Sequence, residues 1–117
     1  MEINVKNLKI EYTVQGKEDG IPVLLLHGWG SSFDVYKGIM SALSDRCYLV
    51  ALNFPGCGNS ETMSEPWNLD DYCDLVVEFI EKLGLNNPIL IGHSHGGRVI
   101  LKLAATKRVN PPKIVLL

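Results

Sequence analysis

The sequence predicts an α/β fold in three layers, a mostly parallel sheet with helices packed on both faces. Three observations carry that reading. Short, uninterrupted apolar runs (Pro22-Val23-Leu24-Leu25-Leu26, Cys47 to Leu52 and Pro88-Ile89-Leu90-Ile91) are of the kind buried on both sides of a parallel sheet. Between them lie stripes at helical spacing, in which apolar residues recur every three or four positions. Glycine-rich turns end two of the runs, where a strand must turn sharply into a helix.

In chain order, residues 2 to 15 read as two short extended segments around Lys6-Asn7, forming a hairpin, with a polar loop from Gln15 to Gly20. The third strand covers residues 22–26. A first helix from about Ser32 to Ser44 follows, its inner stripe being Tyr36, Ile39, Met40 and Leu43. The fourth strand is 47–52, and a long loop from 53 to 67 carries Pro55 and Pro66. The second helix is the best signalled: Asn68 as N-cap, Asp70 and Asp71 against the positive end of the helix dipole, an apolar stripe from Tyr72 to Leu83, and Gly84 as the stop. A fifth strand over 88–91, a third helix bearing Val99, Ile100, Leu103 and Ala104, and a sixth strand opened by Lys113 to Leu117 complete the set. The expected strand order is 1-2-4-3-5-6.

The fifth strand breaks into Gly92-His93-Ser94-His95-Gly96 and passes directly to a helix. A serine on such a turn is held in strained backbone with its hydroxyl exposed, the layout of a nucleophile elbow, so Ser94 is the candidate catalytic nucleophile. The competing reading, an inert capping serine, loses ground because strand, turn and helix are all present. The third strand ends in His27-Gly28-Trp29-Gly30-Ser31-Ser32, a turn whose backbone N–H groups are free to face an anion. Acyl transfer needs such donors, since its tetrahedral intermediate carries negative charge on the former carbonyl oxygen. The candidate oxyanion donors are the N–H groups of Trp29 and His95.

With these segments the chain resembles the α/β-hydrolase fold family over nearly its whole length. It looks most like the small serine hydrolases with His-Gly-x-Gly after the third strand, among them carboxylesterases, lipases and C–C bond hydrolases. A third family segment is Asn53-Phe54-Pro55-Gly56-Cys57-Gly58-Asn59-Ser60, where the family usually has Asp in place of Asn53. That departure reads as structural rather than catalytic, and it implies a loop without its usual charge-assisted hydrogen bond. The resemblance implies hydrolysis of an ester or related acyl substrate through an acyl-enzyme on Ser94. Serine rather than aspartate at that position argues against the dehalogenase and epoxide hydrolase branches. The alternative is a catalytically silent fragment or binding module that keeps the fold.

In this family the acid and the histidine base follow the serine in the chain. No position after Leu117 exists here to carry them, and the last residues are apolar, so the chain reads as residues 1–117 of a longer single domain, truncated after the sixth strand. An isolated piece of this kind is expected to be inactive. Its expected partners are a small acyl substrate and, across the unfinished sheet edge, either a separate chain carrying the C-terminal half or a second copy pairing edge to edge.

The histidines present are poor substitutes for a base. His93 and His95 flank Ser94 and should diverge from it, while His27 is the nearest to the oxyanion region and reads chiefly as a loop-ordering residue. The same divergence argues against a three-histidine metal site, so neither metal nor cofactor is expected. Gly56-x-Gly58 lacks the third glycine of a dinucleotide loop. Cys57 reads as a small loop residue, Trp29 and Phe54 as pocket lining, and Arg98 as a solvated or loop-pairing charge.

Of 117 residues, 46% are hydrophobic and 21% charged, enough for one globular core. A net charge of -2 gives no reason to expect nucleic acid or an anionic membrane as partner. No signal-peptide pattern or membrane-length apolar run is present, and an odd three cysteines without close spacing suit a reducing, cytoplasmic setting.

Overall fold

The computed structural model describes all residues, 1–117. Its elements are β1 (Glu2–Val5), β2 (Leu8–Gly16), β3 (Ile21–Leu26), a 3-10 turn (Phe33–Tyr36), α1 (Lys37–Leu43), β4 (Cys47–Leu52), α2 (Leu69–Leu83), β5 (Ile89–Gly92), α3 (His95–Ala105) and β6 (Ile114–Leu116). They form a six-stranded sheet in the order β1-β2-β4-β3-β5-β6, as the sequence predicts. β3 pairs in parallel with both β4 and β5, and β5 with β6, while β2 runs antiparallel to β1 and β4. Lys6 and Asn7, at φ 50° and 61°, make the two-residue turn with two positive φ angles that suits a hairpin's twist.

Alternation along the parallel strands sorts the apolar side chains into two layers. Leu24, Leu26, Val50, Leu52 and Leu90 face α2 and α3, where Leu75, Val76, Phe79, Val99, Ile100 and Leu103 bury against them. On the other face Val23, Leu25, Leu49, Ala51 and Ile91 meet Tyr36 and Met40 of the 3-10 turn and α1. Because β3 and β5 lose both faces to helices, they carry no polar alternation, which is why they read as plain apolar runs.

The first helix starts later than the sequence suggests. Ser32 is the cap, its Oγ accepting from the Asp34 N–H at 3.3 Å, but residues 33–36 close as a 3-10 turn and the α-helix begins at Lys37. A tightened first turn is a common way into a helix, and here the Tyr36 hydroxyl is tied to the Leu26 carbonyl at 2.8 Å. Burial pushes that phenol up to about 12. α2 behaves as expected: Asn68 and Asp71 form a reciprocal capping box, and Gly84 closes the helix at φ 65°.

Asn53 corrects the expectation that this loop goes without a charge-assisted hydrogen bond. It is fully buried, its Oδ1 accepts from the Phe33 N–H at 2.7 Å, and its Nδ2 donates to Glu11 Oε1 at 2.8 Å. The charge therefore sits on Glu11, which also accepts from the Asn59 N–H at 2.9 Å, and these donors, Asn59's N–H first, hold its carboxyl below the usual range. An aspartate at 53 would set a second carboxylate against Glu11, whereas the amide satisfies a donor on one side and an acceptor on the other.

Candidate active site

Ser94 joins β5 to α3 at φ 54° and ψ -115°, a conformation that costs a non-glycine residue on the order of 1–3 kcal/mol and persists only when its surroundings enforce it. They do so here. The His93 N–H donates to the Leu26 carbonyl at 3.2 Å, and on the helix side the Gly96 and Arg98 N–H groups donate to the His93 and Ser94 carbonyls at 3.0 Å each. A Cβ on Gly96 would collide with the Leu26 carbonyl oxygen, and one on Gly28 would lie 2.8 Å from His93 Nδ1 and 3.2 Å from Ser94 Cβ. Gly96 lets the elbow approach the end of β3 backbone to backbone, and Gly28 leaves room for the His93 and Ser94 side chains. The Ser94 side chain is exposed and takes no hydrogen-bond partner from the protein.

The N–H groups of Trp29 and His95 are likewise uncommitted, since no carbonyl or side chain of the protein accepts from either. His95 is the first residue of α3, so its N–H is among those a helix N-terminus leaves free. The elbow sits at the carboxyl ends of β3 and β5, where parallel α/β sheets place their ligand sites. Two hollows open there. One of about 390 Å³ includes Ser94, Arg98, Trp29, Trp67 and Tyr72 in its lining, and one of about 250 Å³ lies between Phe54, Met63, Tyr72 and His95. A separate hollow of about 320 Å³ near Pro88 and Val109 lies at the other end of the sheet, away from the elbow.

The three histidines have distinct surroundings, none of them at the Ser94 hydroxyl. His27 is 1% exposed; its Nε2 accepts from the Phe54 N–H at 3.0 Å, so the ring hydrogen resides on Nδ1, 2.7 Å from the Gly28 carbonyl. With both nitrogens committed it orders the turn and cannot serve as the base. His93 is exposed and packs over Gly28. His95 turns into an aromatic cluster, with ring centroids 4.5 Å from Tyr72, 5.0 Å from Trp29 and 5.3 Å from Phe54, all edge-to-face. Its Nε2 is buried and has no hydrogen-bond partner. Tyr72 reads in the sequence as one more core residue of α2, and Trp67 as a loop residue; only the fold brings both to the elbow.

Burial depresses the His27 pKa, partly offset by its bond to Gly28. The sign of the consequence is fixed by linkage. Unfolded chain takes up a proton near pH 6.5 that the folded state refuses, so the stability this histidine contributes is whole above that pH and declines as pH falls toward the lowered folded value. Burial depresses His95 in the same direction, so the two losses add. Thermal melts between pH 7 and pH 5 should show the midpoint falling with acid, with a shallower fall in His27→Gln; equal slopes would remove His27 from the account.

A family model described as alpha/beta hydrolase fold matches residues 21–116, the stretch from β3 through the elbow to β6. The chain belongs to the alpha/beta hydrolase fold family. Among this family's curated members, the chain is 39% identical over 93 residues to "Putative esterase/lipase 2" of Mycoplasma genitalium, covering 78% of this chain and 34% of that protein. It is 31% identical over 109 residues to haloalkane dehalogenase 2 of Mycobacterium bovis, covering 92% of this chain and 37% of the dehalogenase. Among solved structures, an alpha/beta hydrolase fold protein from Burkholderia ambifaria superposes with a TM-score of 0.91 at 21% identity over 99% of this chain and 42% of that one, a likeness of fold. The hydrolase-fold chain thus spans about a third of the length of the curated relatives it matches. None of its helices is long and apolar enough to cross a membrane.

Proposed function

We propose that Ser94 is the nucleophile of a serine hydrolase that cleaves esters or related acyl substrates through an acyl-enzyme. The observation that carries the reading is the positive-φ serine at a strand-to-helix turn, exposed in a cleft that Trp29 and His95, with uncommitted backbone N–H groups, also line. Ser94 Oγ attacks the acyl carbon. The oxygen that gains the charge accepts from the Trp29 and His95 N–H groups, donors fixed in place before the reaction and so requiring no reorganisation during it. Collapse of the intermediate expels the alcohol and leaves the acyl group on Oγ, from which water removes it. The proton leaves Oγ to a base supplied from outside these 117 residues, since His27 is locked and His95 Nε2 is buried among rings. The chain alone is therefore expected to show almost no turnover.

Kinship to a dehalogenase raises a second chemistry, which the elbow residue disfavours. Displacement of halide by a serine oxygen would leave an alkyl ether on Oγ, a bond that water does not readily cleave, whereas an acyl ester on the same oxygen turns over.

A fluorophosphonate probe tests the assignment in the protein expressed at the full length its gene encodes. The expected result is one adduct, located by mass spectrometry on the peptide containing Ser94 and lost on competition with a hydrolysable nitrophenyl ester. An adduct elsewhere overturns the assignment of Ser94, and none at a probe concentration that labels other serine hydrolases supports the silent-fold alternative.

A further inference from the structure

We propose that Arg98 is a specificity-determining residue that receives a carboxylate on the substrate, so that half-esters of short dicarboxylic acids are the preferred class at Ser94. The proposal rests on the hydrolase reading above. Arg98 stands four residues after Ser94, and its N–H donates to the Ser94 carbonyl at 3.0 Å, closing the first turn of α3. Both line the same cleft of about 390 Å³, whose walls are otherwise aromatic, aliphatic or neutral polar, with Trp29, Trp67, Leu69 and Tyr72 supplying most of the apolar surface.

The charges around the cleft leave this guanidinium unmatched. No acidic residue lines the cleft, and the two that follow its lining residue Leu69 in the chain are engaged elsewhere: Asp70 pairs with Lys102 at 2.8 Å, while Asp71 pairs with Lys6 at 3.8 Å and accepts from the Asn68 N–H at 2.9 Å. The other two arginines each have a carboxylate, Asp45 for Arg46 and Asp74 for Arg108. Arg98 enters no ion pair or side-chain hydrogen bond. Its positive charge also contributes, after burial, to holding His95 neutral, so the cleft presents one cation and no anion. A planar fork of donors beside apolar walls is suited to a carboxylate held by two parallel bonds, and Arg98 is exposed, so salt reaches the pair. A short dicarboxylic chain carries its free carboxylate a few carbons from the acyl carbon, and the shared cleft offers Ser94 and Arg98 as the two receiving groups.

The test compares mono(4-nitrophenyl) succinate with 4-nitrophenyl butyrate, a pair differing by a carboxylate in place of a methyl group, on the full-length gene product. Wild type is expected to favour the succinate in kcat/KM, and Arg98→Gln to lower the succinate-to-butyrate ratio by about tenfold or more, with Arg98→Lys restoring part of it. Wild-type preference should also shrink as salt rises from about 0.01 M to about 1 M, because the Debye length falls from roughly 30 Å to 3 Å. A ratio that moves less than about twofold in Arg98→Gln, or a wild-type ratio indifferent to salt, overturns the proposal. The salt series needs no variant and decides the matter even if Arg98→Gln folds poorly. Ser94→Ala separates the two readings: hydrolysis of both esters that survives it sinks the nucleophile assignment, whereas a Ser94-dependent activity with an unmoved ratio sinks only the role of Arg98.

Discussion

Ser94→Ala is expected to lower kcat toward acyl substrates in the full-length protein by about a factor of 10⁶, equivalent to about 8 kcal/mol of transition-state stabilisation. The size follows from the chemistry. Without Oγ there is no acyl-enzyme, and water must attack the carbonyl unaided while only the backbone donors and substrate binding remain. The fold should be indifferent, because the Ser94 side chain is exposed and hydrogen-bonded to nothing. Single-turnover assays alongside circular dichroism read both quantities. A loss smaller than about tenfold with an intact fold would mean that the exposed elbow hydroxyl is not the attacking group.

Gly96→Ala is expected to act through the fold instead, with a loss of about 3 kcal/mol or more. Its Cβ would collide with the Leu26 carbonyl oxygen and lie 2.7 Å from the Leu26 carbonyl carbon and 2.9 Å from the His27 carbonyl oxygen. These are backbone atoms at the end of β3, a strand hydrogen-bonded on both sides to β4 and β5, so no side-chain rotation relieves the overlap. Either α3 withdraws or the end of β3 shifts, and both routes disturb the Trp29 and His95 donors together with the packing beneath them. Thermal unfolding should therefore drop by many degrees, and fluorophosphonate labelling of Ser94 should fall with it. A midpoint within about 2 °C of wild type would show that the elbow relaxes freely and that the close approach is not a constraint.

Most of the architecture is legible in the sequence because local rules decide it. β3, β4 and β5 declare themselves as apolar runs, since strands covered on both faces have no need of polar alternation. The limits of α2 follow from Asn68, Asp71 and Gly84, each satisfying a helix end from within a few residues of it. The first helix is the instructive miss. Its stripe from Tyr36 to Leu43 is real, but the Tyr36 hydroxyl reaches Leu26 ten residues back, and the segment before it tightens into a 3-10 turn that no local period announces.

The strand-turn-helix around Ser94 and the glycine turn at the end of β3 are legible from the residues alone. These depend on residue types within five or six positions of one another. It took the assembled fold to show that His27 is consumed by Phe54 and Gly28, that His95 packs among Tyr72, Trp29 and Phe54, and that Asn53 answers to Glu11, a residue on β2. It alone showed Arg98 lining a cleft without acidic residues, with Asp70 and Asp71 paired to Lys102 and Lys6. A side chain's hydrogen-bond partners, its burial and the charges it meets come from segments far apart in the chain, so they exist only once the sheet has been assembled.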